Sequence, residues 1–149
     1  RVEEVVVDGM VDRVAAAGPR ATDRMVAFVH GQAALGVDAW EQVLLLILMS
    51  LEFAGQEGHP IEARVRAIYG RMYRGVEDII RDGRAAGEFR TDVRAKEQAA
   101  IVMAGHDGTF LEWYRRQKDF KGAELVRALR IATLGGLAAP HSTVGGEAT

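Results

Sequence analysis

The stretch AAIVMAGHDGTFLEWYRR, Ala99 to Arg116, decides the reading of this chain. Its first half is apolar on nearly every side of a helix, and such a helix must be covered on two sides rather than lie on a surface. His106 and Asp107 set two ionisable groups in that run, and Gly105 and Gly108 flank them. Each glycine costs about 1 kcal/mol of helix propensity relative to alanine. Close helix packing or a ligand cavity would offset that cost. On the helical wheel Ala99, Met103, Asp107, Phe110 and Tyr114 share one face, and Val102, His106, Thr109 and Trp113 share its neighbour. Ile101, Gly105, Gly108 and Glu112 form a narrow back with little bulk.

The 149 residues around this stretch suit one domain with one core. Apolar residues make up 48% and charged residues 27%, an ordinary soluble composition. A net charge of −2 gives no support for a nucleic-acid surface, which needs a basic patch. The absence of cysteine excludes disulfides and thiolate metal sites. The longest apolar run, Val43 to Met49, is too short for a bilayer, which takes about 20 residues. No signal-peptide pattern opens the chain. Strand-like alternation and internal repeats are absent, so the expected fold is all-α with about six helices. No membrane partner is expected, and the expected location is cytoplasmic.

Taken in order, Val2, Val5, Val6, Met10, Val11 and Val14 put a first amphipathic helix over residues 1–17, ended by Gly18-Pro19. It begins with neither Met nor a capping residue, so the expectation is a connector helix from a missing N-terminal portion. Thr22 is the expected cap of the second helix, which runs to about Leu35 with Met25, Phe28, Val29 and Gln32 on one stripe. Asp38 and Glu41 form an Asp version of the capping box and open a third helix to about Ala54. That helix is apolar all round, which predicts the central core helix. Pro60 opens a long fourth helix on which Ile61, Val65, Ile68, Tyr69, Met72, Val76, Ile79 and Ile80 keep the 3.6-residue period. Gly87 is its expected C′ residue. A last helix, about Gly122 to Leu137, carries Leu125, Val126, Leu129, Ile131, Ala132 and Leu134 on more than one face. Two neighbouring helices with two apolar faces each predict burial against a second copy in a four-helix interface. Residues 139–149 read as a flexible tail after a domain of residues 1–138.

Six helices in this order, with IIRDGRAAGEFRTDV at the end of the long helix, MAGHDGTFLEWYRR in the next and ELVRALRIATLGGL in the last, resemble the C-terminal regulatory domain of TetR/AcrR-type transcriptional regulators. The ordered combination carries the resemblance, which covers nearly the whole chain. In that family a three-helix DNA-binding head comes first, and no segment matching it is in this sequence. The resemblance implies that the second to fifth helices enclose a small-molecule effector pocket. It also implies that the last two helices form a homodimer. Operator DNA would be a partner only through the missing head, and effector binding would reach that head through the first helix.

The chemistry of the remaining residues points the same way. His30, His106 and Asp107 have poor metal-ligand spacing, so no metal or other cofactor is expected. His106 and Asp107 are consecutive on a helix and point about 100° apart, which makes a catalytic dyad unsuited to them. No phosphate loop is present, and no enzyme is expected. Met25, Met49, Met72 and Met103 with Phe28, Phe53, Tyr69 and Phe110 form either a solid core or the wall of an apolar pocket. Gln32 and Asp107 are the polar groups such a pocket would use. Asp107 could equally be a structural carboxylate satisfied by a neighbouring Tyr or Arg. His106 reads as a core or dimer-edge histidine. Val102, Gly105, Thr109, Trp113, Leu125, Leu129 and Ala132 are the expected dimer interface. The expected function is the regulatory domain of a TetR-like repressor that binds a mostly apolar effector. The competing reading is a helical interaction module with a solid core.

Overall fold

The computed structural model describes residues 4–116 and 119–140. Six α-helices and no strand make up the described residues. A π-helical turn, Glu4–Asp8, leads into α1 (Gly9–Ala16). Then come α2 (Ala21–Asp38), α3 (Trp40–Glu52), α4 (Pro60–Ala85), α5 (Ala95–Arg115) and α6 (Gly122–Leu137). Residues 1–3 of the expected connector and 141–149 of the expected tail lie outside the described residues. Ala139 is held, because its N–H donates to the Glu88 carbonyl.

The long helix α4 is the spine. Pro60 sits in its first turn, where a missing N–H costs nothing, and the His59 ring Nδ1 accepts the Ile61 N–H. Its inward stripe of Val65, Ile68, Met72, Val76, Ile79 and Ile80 is buried. That stripe packs on α5 and α2, α1 lies against α2, and α6 against α5 and α2. Met25, Phe28, Val29, Val76 and Ile80 are almost completely enclosed.

The loop after α4 ties three helix ends together. Gly87 has φ +76°, the left-handed conformation expected of a C′ glycine. The chain then doubles back, with the N–H groups of Glu88 and Phe89 both donating to the Gly83 carbonyl. Phe89 is buried against Gly83 so closely that a Cβ there would sit 2.2 Å from its Cδ2. The Glu88 carboxylate accepts the N–H groups of Ala21 and Thr22, at 3.0 and 3.1 Å, and the Thr22 hydroxyl at 2.8 Å. The Arg90 N–H donates to the Leu137 carbonyl and closes the end of α6.

Three local expectations are corrected. Thr22 does not cap α2: the helix already starts at Ala21, with Arg20 at the N-cap position, and Glu88 supplies the acceptors from across the fold. Asp38 does not open α3, because α2 continues through it and the two helices meet at Ala39, with no side-chain cap. Nor is α3 the central core helix. Only Leu46 and Ile47 are buried on it, while Leu45, Leu48 and Leu51 are exposed, because α2 and α4 cover one side of it alone.

Candidate ligand-binding cavity

Helices α2, α5 and α6 enclose a partly open cavity of about 510 Å³. From α2 come His30, Gln32, Ala33, Ala34, Gly36 and Val37, and α3 adds Val43. The face of α5 contributes His106, Asp107, Thr109, Phe110 and Trp113. From α6 come Leu125, Val126, Arg127, Leu129 and Arg130. The wall is aliphatic and aromatic with a few polar groups, the usual make-up of a small-molecule site. A Cβ at Gly36 would lie 3.2 Å from Phe110 Cδ2, so the glycine is what lets α2 and the Phe110 ring approach.

The two ionisable residues of α5 face different helices, as consecutive helical positions must. His106 turns to α2, its ring edge-on to Phe28 with centroids 4.8 Å apart. It is 8% exposed, and its Nε2 has no hydrogen-bond partner. Burial pushes its pKa down to about 4, so the imidazole is neutral at pH 7. Asp107 turns to α4 and accepts the Tyr69 hydroxyl at 3.2 Å. Burial raises the Asp107 carboxyl, and the Tyr69 hydrogen bond partly offsets the rise. Burial and the nearby Asp107 charge in turn push the Tyr69 phenol up. At the outer edge the Arg130 guanidinium lies 3.4 Å from His30 Nε2. Neither Arg127 nor Arg130 has a carboxylate partner among the described residues. No group of three or more His, Cys, Asp or Glu there could hold a metal ion.

The crystal structure of the MbdR regulator from Azoarcus sp. CIB is similar to this chain. It is 47% identical, with a TM-score of 0.82, over 91% of this chain and 71% of that one. The chain belongs to the TetR-like regulators. The structure of a protein with unknown function from Rhodococcus sp. RHA1 has a TM-score of 0.72 over 92% of this chain and 68% of that one. At 16% identity it shows a shared fold alone. No family model and no curated protein matches. No single helix among the described residues of this TetR-like chain is long and apolar enough to cross a membrane.

Against the expectations for a TetR-like pocket, Gln32, Asp107 and Phe110 line the cavity. Met25, Phe28, Met72 and Met103 are buried in the core. Met49 packs partly against that core, Phe53 stacks on His59, and Tyr69 reaches Asp107 from α4. Of the residues expected between subunits, Thr109, Trp113, Leu125 and Leu129 line the cavity, and Val102 is buried in the core. A Cβ at Gly105 would touch Leu129, whereas Gly108 faces open space and Ala132 is exposed. Sequence reasoning weighed His30 only as a metal ligand, placed Val126 only among the apolar residues of the last helix, did not single out Arg130, and read His106 as core or dimer edge. The one available signal was His106 itself, an ionisable group in an apolar run.

Proposed function

We propose that this chain is the effector-binding and dimerisation domain of a TetR-like transcriptional repressor. A small, mostly apolar molecule occupies the cavity between α2, α5 and α6. The observation that carries this reading is the cavity itself: about 510 Å³, apolar in most of its wall, with polar side chains from α2, α5 and α6 among its lining. Non-catalytic action is consistent with the similarity to a regulator. Relay to a DNA-binding head runs through α1. Gln32 supports that route, because it also borders a second hollow of about 280 Å³ lined by Met10, Arg13 and Leu35, between α1 and α2. Two copies associate through α5 and α6, where Ile101 and Ile131 are uncovered at 73% and 57% exposure. A domain working this way acts in the cytoplasm.

Trp113 is a built-in reporter. In a Trp40→Phe variant it is the remaining tryptophan, and titration with the neutral dye N-phenyl-1-naphthylamine reads energy transfer from it. Saturable transfer is expected, weakened at least tenfold by Ala34→Phe, which fills the cavity from α2. Absence of saturable transfer, or an unchanged affinity in Ala34→Phe, favours a solid helical interaction module instead.

A further inference from the structure

His106 stands out from the other buried polar groups. The Nε atoms of Arg24 and Arg84 and the Nε2 of Gln98 also lack partners. Each of those side chains is anchored through another of its atoms: Arg24 to Asp82 at 2.9 Å, and Arg84 to Gln98 at 2.8 Å. His106 Nε2 has no such compensation, yet its residue lines the cavity. Buried polar atoms are almost always paired, and an unpaired one on a residue that borders a cavity is where a ligand atom would find a partner. Gln32 of α2 and Thr109 of α5 add an amide and a hydroxyl to the lining of the same cavity.

We propose that His106 is the ligand-reading residue of this cavity, and that its ligand is a neutral aromatic molecule carrying a hydroxyl group that hydrogen-bonds to the imidazole Nε2. The inference rests on the effector-binding reading above and deepens it. The chemistry of the wall selects the ligand. A neutral imidazole nitrogen is a donor in one tautomer and an acceptor in the other, and a hydroxyl satisfies either. A carboxylate in the cavity would share it with the acidic side chain of Asp107, which also lines it. An ammonium group would share the cavity with Arg127 and Arg130, which have no carboxylate partner among the described residues. Phe110 and Trp113 offer ring faces and edges to an aromatic body.

The test compares three probes of one size at pH 7: 2-naphthol, 2-methylnaphthalene and 2-naphthoate, titrated against the chain and followed by Trp113 emission in the Trp40→Phe background. The hydroxyl is expected to tighten binding about three- to tenfold over the methyl group, the range of one net hydrogen bond. In His106→Phe that preference disappears while 2-methylnaphthalene still binds, and in His106→Asn part of it returns. The ¹⁵N resonance of His106 Nε2 moves on adding 2-naphthol and stays in place with 2-methylnaphthalene. Equal affinities for these two probes in the wild-type chain overturn the proposal and leave the cavity reading intact. So does tighter binding of 2-naphthoate, which would assign an anion to Arg127 and Arg130. If none of the probes binds, both readings fall.

Discussion

Replacing Glu88 by alanine removes the acceptors at the start of α2 without touching the helix itself. The carboxylate meets two of the orphan N–H groups of that end and the Thr22 hydroxyl. Loss of an N-terminal cap costs about 1 kcal/mol, and loss of a negative charge there a further 0.3–1 kcal/mol or so. With three hydrogen bonds to one carboxylate, about 2 kcal/mol is expected. Taking roughly 2 cal/mol/K of unfolding entropy per residue, that lowers Tm by about 6 °C. Glu88→Gln keeps an acceptor but loses the charge, so it should lose about half as much. The pH dependence provides an internal check. The Thr22 N–H and hydroxyl, with the Ala21 N–H, hold the Glu88 carboxyl below its usual range of about 4.5. A lowered folded-state pKa gives stability that is fully present above the unfolded value and is lost as pH falls through the folded one. The wild-type advantage over Glu88→Ala should therefore be constant from pH 8 to 6 and shrink toward pH 3. Thermal melts followed by circular dichroism at 222 nm measure it. A loss under about 0.3 kcal/mol at pH 7, or a deficit unchanged at pH 3, would refute the reasoning.

Gly83→Ala should destabilise the chain by about 1–3 kcal/mol, despite the helix propensity it gains, because the new Cβ meets the Phe89 ring at 2.2 to 2.8 Å. Urea melts measure this, and Phe89→Leu in the same background should recover part of the loss. His106 titrates at about 4 when folded, against 6.5 for the free side chain, so the unfolded chain binds the extra proton between those values. Stability should fall as pH drops from 6.5 to 4, by up to about 3 kcal/mol, and His106→Phe should remove that slope. Asp107, raised by burial, works in the opposite sense at the acid end of the window. Ile131→Glu on the uncovered face of α6 should convert dimer to monomer in sedimentation equilibrium. A wild-type chain that is monomeric at micromolar concentration would sink the dimer reading.

How far the sequence spoke depended on whether the deciding contact was local. Pro60 and Gly87 frame α4, because cap and breaker chemistry acts within one turn. The start of α2 was misread because its cap stands 66 residues away, beyond any sequence window. The capping box at Asp38 failed for a related reason: α2 keeps its hydrogen bonds to the Ala39 N–H and consumes the residue that would have opened α3. The apolar run of α3 was legible, but coverage is a tertiary property, and Leu45, Leu48 and Leu51 were left outside. At the cavity, Gln32, Asp107 and Phe110 could be named because each is a polar or aromatic residue on a defined stripe. The α6 wall could not, since the crossing of α6 over α2 and α5 decides which of its faces closes the space.

The segment from Gly83 to Arg90, the last turn of α4 and the loop after it, makes one end of the molecule unlike the other. There α2 begins, α4 stops and α6 finishes, all bound to the same few residues. With Ala21 so held, any tilt of α2 would pivot at Glu88. The 18 residues of the helix give an arm of about 27 Å, so a tilt of only 5° moves Asp38 by roughly 2 Å while leaving Ala21 in place. The cavity lies toward the far half of that arm, at Gln32 to Val37, and α1 rests on the same half at Gly31. Leverage therefore favours any push applied inside the cavity over one applied near the fulcrum.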